Sequence, residues 1–155
     1  MNNEYYPEEQ ELEFIRKWNI QDVINLLAYI EDRWWSSDRG FIMKWGKDPI
    51  HDKKYPIIKL ELHTGGWSGN ELLIEALLQN QMFNMMWYSQ WNRGGHYRFE
   101  IDLYNVGYKP ANELAKEKGI TRQAIHKSKE YDKIKVAPRR FLFRPKPSRL
   151  EKPSA

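Results

Sequence analysis

Apolar residues recur along this chain in two alternating rhythms, one of three to four residues and one of two. From Asn19, the run NIQDVINLLAYIEDRWW sets Ile20, Val23, Ile24, Leu27, Ile30 and Trp34 at spacings of three and four. That spacing predicts an amphipathic helix, with Asn19 as its N-cap and Asp22 suited to its first turn. SSDRG interrupts the pattern, and FIMKWG then alternates Phe41, Met43 and Trp45 on one face, which predicts a half-buried strand. GKDPIHDKKYP reads as a loop. IIKLELH alternates Ile58, Leu60 and Leu62 against Lys59, Glu61 and His63, and predicts a second strand.

Ser68 and Glu71 have the spacing of a capping box and open a helix through LLIEALLQ. Leu72, Ile74, Leu77 and Leu78 are too widely distributed around it for a narrow stripe, so it is expected to be well buried. MFNMMWYSQW and HYRFEIDLY flank Arg93-Gly94-Gly95, and together they predict an aromatic-rich β-hairpin, with Tyr97, Phe99, Ile101 and Leu103 in alternation. The expected class is α+β: a small antiparallel sheet with helices, in the order α-β-β-α-β-β. The first dozen residues carry Glu4, Glu8, Glu9 and Glu11 with no base and are expected to form a loose lead-in.

Gly107 and Pro110 punctuate a boundary. The expected division is an α+β domain over 1–106, a basic module over 107–145 and a flexible tail over 146–155, where RPKPSRLEKPSA suggests polyproline-like chain. Charge sharpens that division. Residues 105–155 hold 14 Lys and Arg against 5 Asp and Glu, a net +9, whereas the rest holds 11 against 16, a net −5. Such asymmetry is expected of a nucleic-acid-binding appendage on an acidic body.

Within the basic part, PANELAKEKGITRQAIHKSKEYDKI has local chemistry for two helices and a turn. Pro110 suits a first helical position, Leu114 and Ala115 supply an apolar face, and Gly119 suits a left-handed turn residue. Ile120 is expected to pack between the helices. Thr121 suits the cap of a second helix, with Ile125 inward and Arg122, Gln123, His126 and Lys127 outward. This run resembles the helix-turn-helix of phage repressors, excisionases and mercury-resistance-type regulators. Two features depart from that pattern: Ser128 stands where a branched apolar residue is common, and no separate helix is evident before Pro110.

The resemblance implies binding to duplex DNA. Arg122 and Gln123 would read base edges in the major groove, and Thr121, Lys127 and Lys129 would meet phosphates. KIKVAPRRFLFRPK resembles the wing that follows such helices, which implies backbone or minor-groove contacts for Arg139, Arg140 and Arg144.

The chain holds seven Trp and nine Tyr. Trp67, Trp87, Trp91, Arg93 and Tyr97, with Tyr88 and Arg98 nearby, are candidates for a partner surface, and core packing accounts for the same residues. Cysteine is absent, which excludes disulfides and thiol chemistry and fits a reducing cytoplasm. MNNEYYPEEQELEF lacks a signal-peptide pattern, and no apolar run is long enough for a membrane helix, so a cytoplasmic protein without membrane partners is expected.

His51, His63 and His96 lack a zinc-ligand spacing, and TGG lacks the lysine and spacing of a P-loop. Glu71 stands beside that turn, but no catalytic residue, metal site or cofactor is assigned. On GGWSGNE and RGGHYRFEI the whole resembles a compact protein of a phage or other mobile element. The expected function is non-enzymatic DNA binding, with the first domain dimerising or binding a partner. Two alternatives stand beside it: an interaction protein that inhibits a host factor, and a metal-dependent nuclease using Glu61, Glu100 or Asp102, or His63 with His96.

Overall fold

The computed structural model describes residues 6–48 and 55–146; Glu4, His51 and the polar tail from residue 147 lie outside the described residues. Among the described residues the class is α+β, with seven α-helices and two small antiparallel sheets. Two compact units form, one from the described parts of Met1–Lys44 and Lys59–Ile101, the other from those of Trp45–Ile58 and Asp102–Arg149. No helix among the described residues is long and apolar enough to cross a membrane.

The first unit opens with α1 (Glu9–Lys17), a helix where the sequence suggested loose chain. Its glutamates are partnered rather than merely solvated. The Glu11 carboxylate accepts the Glu8 backbone N–H at 3.0 Å, Arg16 reaches Glu9 at 2.6 Å, and Arg33 pairs with Glu11 from 22 residues away. Leu12 and Ile15 supply its buried face.

Asn19 then caps a 3-10 turn (Ile20–Asp22) by accepting the Gln21 N–H, and α2 (Val23–Arg33) follows, burying Val23, Leu26, Leu27 and Ile30. SSDRG does not simply break the pattern: it forms a one-turn helix, α3 (Ser37–Gly40).

The first sheet has the order β1-β2-β4-β3, with β1 (Phe41–Gly46), β2 (Ile57–His63), β3 (Tyr88–Asn92) and β4 (His96–Ile101). Interior β2 buries Ile58, Leu60 and Leu62 as alternation requires. Edge strand β1 buries Phe41 but leaves Met43 47% exposed, so its expected apolar face is covered at one end only.

Between β2 and β3 lie α4 (Ser68–Gln79) and α5 (Gln81–Trp87). The Ser68 capping box does not form. Trp67 occupies the N-cap position, and the Ser68 hydroxyl instead donates to the Tyr6 hydroxyl at 3.0 Å. Leu73, Ile74, Ala76 and Leu77 are buried, whereas Leu72 is not.

Helix α5 takes up most of what the aromatic pattern suggested as strand. Asn80 caps it by accepting the Phe83 N–H, and Phe83 then packs edge-on against both Trp87 and Phe99, each ring 5.2 Å away. The hairpin does turn at Arg93-Gly94-Gly95, with Asn92 opposite His96 and Trp91 opposite Tyr97. Gly95 is required there. Its φ is +78°, and a Cβ would lie 2.0 Å from the Thr64 hydroxyl oxygen.

In the second unit a 3-10 turn (Leu103–Val106) precedes β5 (Lys109–Pro110), α6 (Ala111–Lys118), α7 (Arg122–Lys127), β6 (Tyr131–Ala137) and β7 (Arg140–Pro145). Pro110 is the N-cap of α6 rather than its first residue. The second sheet has the order β5-β7-β6. Ala111, Leu114, Ala115, Ile125 and Phe143 form its core cluster, with Tyr131 and Phe141 packed against them.

Candidate nucleic-acid interface

The turn between α6 and α7 follows from three adjacent residues. Gly119 takes a φ of +67°, which ends α6 at no steric cost. Ile120 donates its backbone N–H to Ala115 at 3.0 Å, but its side chain is 42% exposed, correcting the expectation that it packs between the helices. A backbone anchor replaces the side-chain wedge. Thr121 then caps α7 by accepting the Ala124 N–H at 3.1 Å.

Only six residues long, α7 sends Ile125 wholly inward and leaves Arg122, Gln123, His126 and Lys127 exposed. Lys129 lies beyond the helix end, so the outward row is shorter than sequence suggested. The imidazole of His126 packs edge-on against Phe143 at 4.9 Å, which orients it. Ser128 closes the helix and its hydroxyl accepts the Glu130 N–H at 3.1 Å, a turn contact that a branched apolar residue could not make.

Strands β6 and β7 form a hairpin whose Ala137–Arg140 pair closes on Pro138-Arg139. Pro138 suits the first central position of a type II turn, and the Arg139 φ of +60° is that of the second. Glycine or asparagine usually fills that place. An arginine there carries a backbone cost on the order of 1 kcal/mol. Arg139 and Arg140 are both exposed at the hairpin tip.

Arg144 is different. Its side chain is buried, Nη1 donating to the Val106 carbonyl at 3.3 Å and Nη2 to Asp132 at 3.2 Å, with the guanidinium 4.5 Å from the Tyr108 ring centre. Leu142, Phe143 and Arg144 are all covered, so Arg144 is a structural residue and leaves the candidate contact set.

A cleft of about 460 Å³ runs beside these elements, lined among others by Tyr55, Asn112, Arg122, Arg139, Arg140 and Phe141. Tyr55, Asn112 and Phe141 were not singled out by the sequence. Tyr55 is more than fifty positions from the other lining residues, and no local pattern marks it. Nearby, burial and then the Glu113 carboxylate push the Tyr104 phenol above its ordinary range, so its hydroxyl stays a neutral donor to Glu113 at 3.4 Å.

The aromatic candidates of the first unit do not gather into one surface. Trp87 is 2% exposed and belongs to the core. Trp67 stacks on Trp35 at 5.3 Å, while Trp91 and Tyr97 pair across the hairpin beside the exposed turn residue Arg93. Tyr88 lies edge-on to Phe99 at 5.5 Å.

The two histidines do meet. His63 Nδ1 and His96 Nδ1 are 2.7 Å apart, so one donates and the other accepts, and Glu61 stands 3.6 Å from His63 Nε2. Asp102 instead caps the 3-10 turn through the Tyr104 N–H at 3.0 Å. Among the described residues no group of three His, Cys, Asp or Glu could hold a metal ion. No protein-family model, curated protein or solved structure matches the chain.

Proposed function

We propose that the second unit is a DNA-binding module, with α7 as the reading helix and the β6–β7 hairpin as its wing. The observation that carries this reading is the division of α7. Ile125 alone is buried, and Arg122, Gln123, His126 and Lys127 face outward on an element followed by a hairpin tipped with Arg139 and Arg140. A short capped helix that spends one side chain on the core and four polar ones on the outside has the make-up of a groove-reading element. The net +9 of residues 105–155 provides attraction to phosphate.

Arg122 and Gln123 contact base edges, the first suited to guanine and the second to adenine. Thr121, Lys127, Lys129, Arg139 and Arg140 contact the backbone and set register. The protein works as a non-enzymatic regulator of a phage or other mobile element. Its first unit dimerises or binds a partner, for which Met82, Met85 and Trp91 offer exposed apolar area. Dimerisation would add the affinity that a single six-residue helix lacks.

The test is selection of duplex sequences by the full-length protein, followed by Arg122→Ala. The variant is expected to lose roughly 5- to 150-fold of its discrimination at one base position, the value of one bidentate contact. Undiminished discrimination in Arg122→Ala would remove α7 as the reading helix.

A further inference from the structure

The cleft of the second unit joins two chemistries that duplex backbone binding does not require together. Ala111 and Phe143 are buried beneath it, Tyr55 and Phe141 line it half-buried, and Arg122 and Arg139 line it exposed. Its volume of about 460 Å³ falls within the range of roughly 300–1,000 Å³ typical of ligand sites. An apolar, aromatic interior beside guanidinium groups matches a flat ring that carries an anion: the rings accept stacking, and the guanidinium fork accepts phosphate oxygens in pairs.

Arg139 adds an independent observation. It holds a left-handed φ of +60° in a two-residue turn where glycine fits without strain, yet the residue present is one that places a cation on this lining. Strain retained at a lined cavity points to a ligand for that cation.

We infer that this cleft takes one unpaired nucleotide of a DNA strand, its base against Tyr55 and its phosphate against Arg139. A paired base is stacked inside the helix and cannot enter a concave site, so the preferred ligand is a duplex that ends in, or opens into, single strand. Lys133 Nζ lies 4.3 Å from the Phe141 ring centre and covers one face of that ring. The inference rests on the DNA-binding reading and deepens it by naming the form of DNA.

Fluorescence anisotropy of full-length protein with a blunt duplex, and with the same duplex bearing a short single-stranded overhang, tests both at once. The overhang is expected to bind roughly 5- to 150-fold more tightly, the worth of one stacked base. Tyr55→Leu, which keeps apolar bulk and removes the ring, brings that ratio close to one. Arg139→Gly brings it down as well without lowering the melting temperature, since glycine suits the turn, and it decides the matter if Tyr55→Leu fails to fold.

Free adenosine monophosphate should abolish the overhang's advantage, whereas inorganic phosphate alone should not. Equal binding of the two duplexes overturns the inference and leaves the DNA-binding reading standing; binding of neither overturns both. An overhang preference that survives both variants places the nucleotide elsewhere and overturns it too, as does adenosine monophosphate binding more tightly than the overhang duplex.

Discussion

Arg144→Ala is expected to destabilise the second unit by about 3 kcal/mol and to lose DNA binding only in proportion to the loss of folded protein. Three contacts go at once: a charge-assisted bond to the Val106 carbonyl, an ion pair with Asp132, and the guanidinium's position over the Tyr108 ring. Breaking a buried pair by removing one partner costs about 3–5 kcal/mol, and the side chain of Asp132, 31% exposed, softens this because water screens the carboxylate left behind. Arg144→Leu keeps most of the buried stem's packing and should cost less.

Urea denaturation of both variants checks the order. A loss below about 1 kcal/mol in Arg144→Ala would mean that the side chain is not held as described. The contrast with Arg139→Gly is informative: one arginine supports the fold, and the other carries a backbone cost that folding does not require.

Asn80→Ala should be at least as damaging to the first unit, by about 3–4 kcal/mol. Asn80 is 4% exposed. Its amide donates to the carbonyls of Ile15 and Trp18 at 3.0 Å each, and its oxygen accepts the Phe83 N–H at 3.3 Å. One side chain thus satisfies the C-terminal end of α1 and caps α5. Alanine takes one donor from the buried Ile15 carbonyl, which keeps the Trp18 N–H, and one from the part-buried Trp18 carbonyl, and it leaves the Phe83 N–H uncapped, each loss costing about 1–3 kcal/mol unless water replaces it.

Asn80→Asp keeps the acceptor but faces a carboxylate toward two carbonyls, and should be worse than alanine near neutral pH. Hydrogen exchange at Phe83 and urea denaturation give the measure. Wild-type stability in Asn80→Ala would contradict the proposed junction.

The features legible in the sequence share one property: the forces that produce them act within a few residues. Gly119, Thr121 and Ile125 carry their conformational and capping preferences wherever they stand, and the Arg93-Gly94-Gly95 turn needs only flexible glycines between alternating segments. What escaped depends on neighbours remote in sequence. The acidic α1 holds because Arg33 reaches Glu11 from 22 positions away. Arg144 is covered because Val106, Tyr108 and Asp132 meet it from other parts of the chain, which its own alternation does not reveal.

Trp87 went to the core because Asn80 starts a helix just where aromatic density suggested a strand. Tyr55 reaches the cleft by tertiary structure alone. The reverse error concerns Ser68, whose spacing to Glu71 was suitable for a capping box but whose hydroxyl found Tyr6 instead. Local preference lost there to a tertiary partner.

The central claim is that the exposed basic row of α7 and the β6–β7 tip engages DNA phosphates. Binding of full-length protein to a duplex, measured across a salt series, tests it most directly. Each phosphate contact contributes a slope of about −0.9 to log K against log salt. The account predicts a straight, steep dependence in the native protein, and a slope shallower by about 2 when Lys127 and Arg140 are both replaced by alanine with the fold intact. A slope unchanged in that double variant, or no binding at low salt by the native protein, would contradict it.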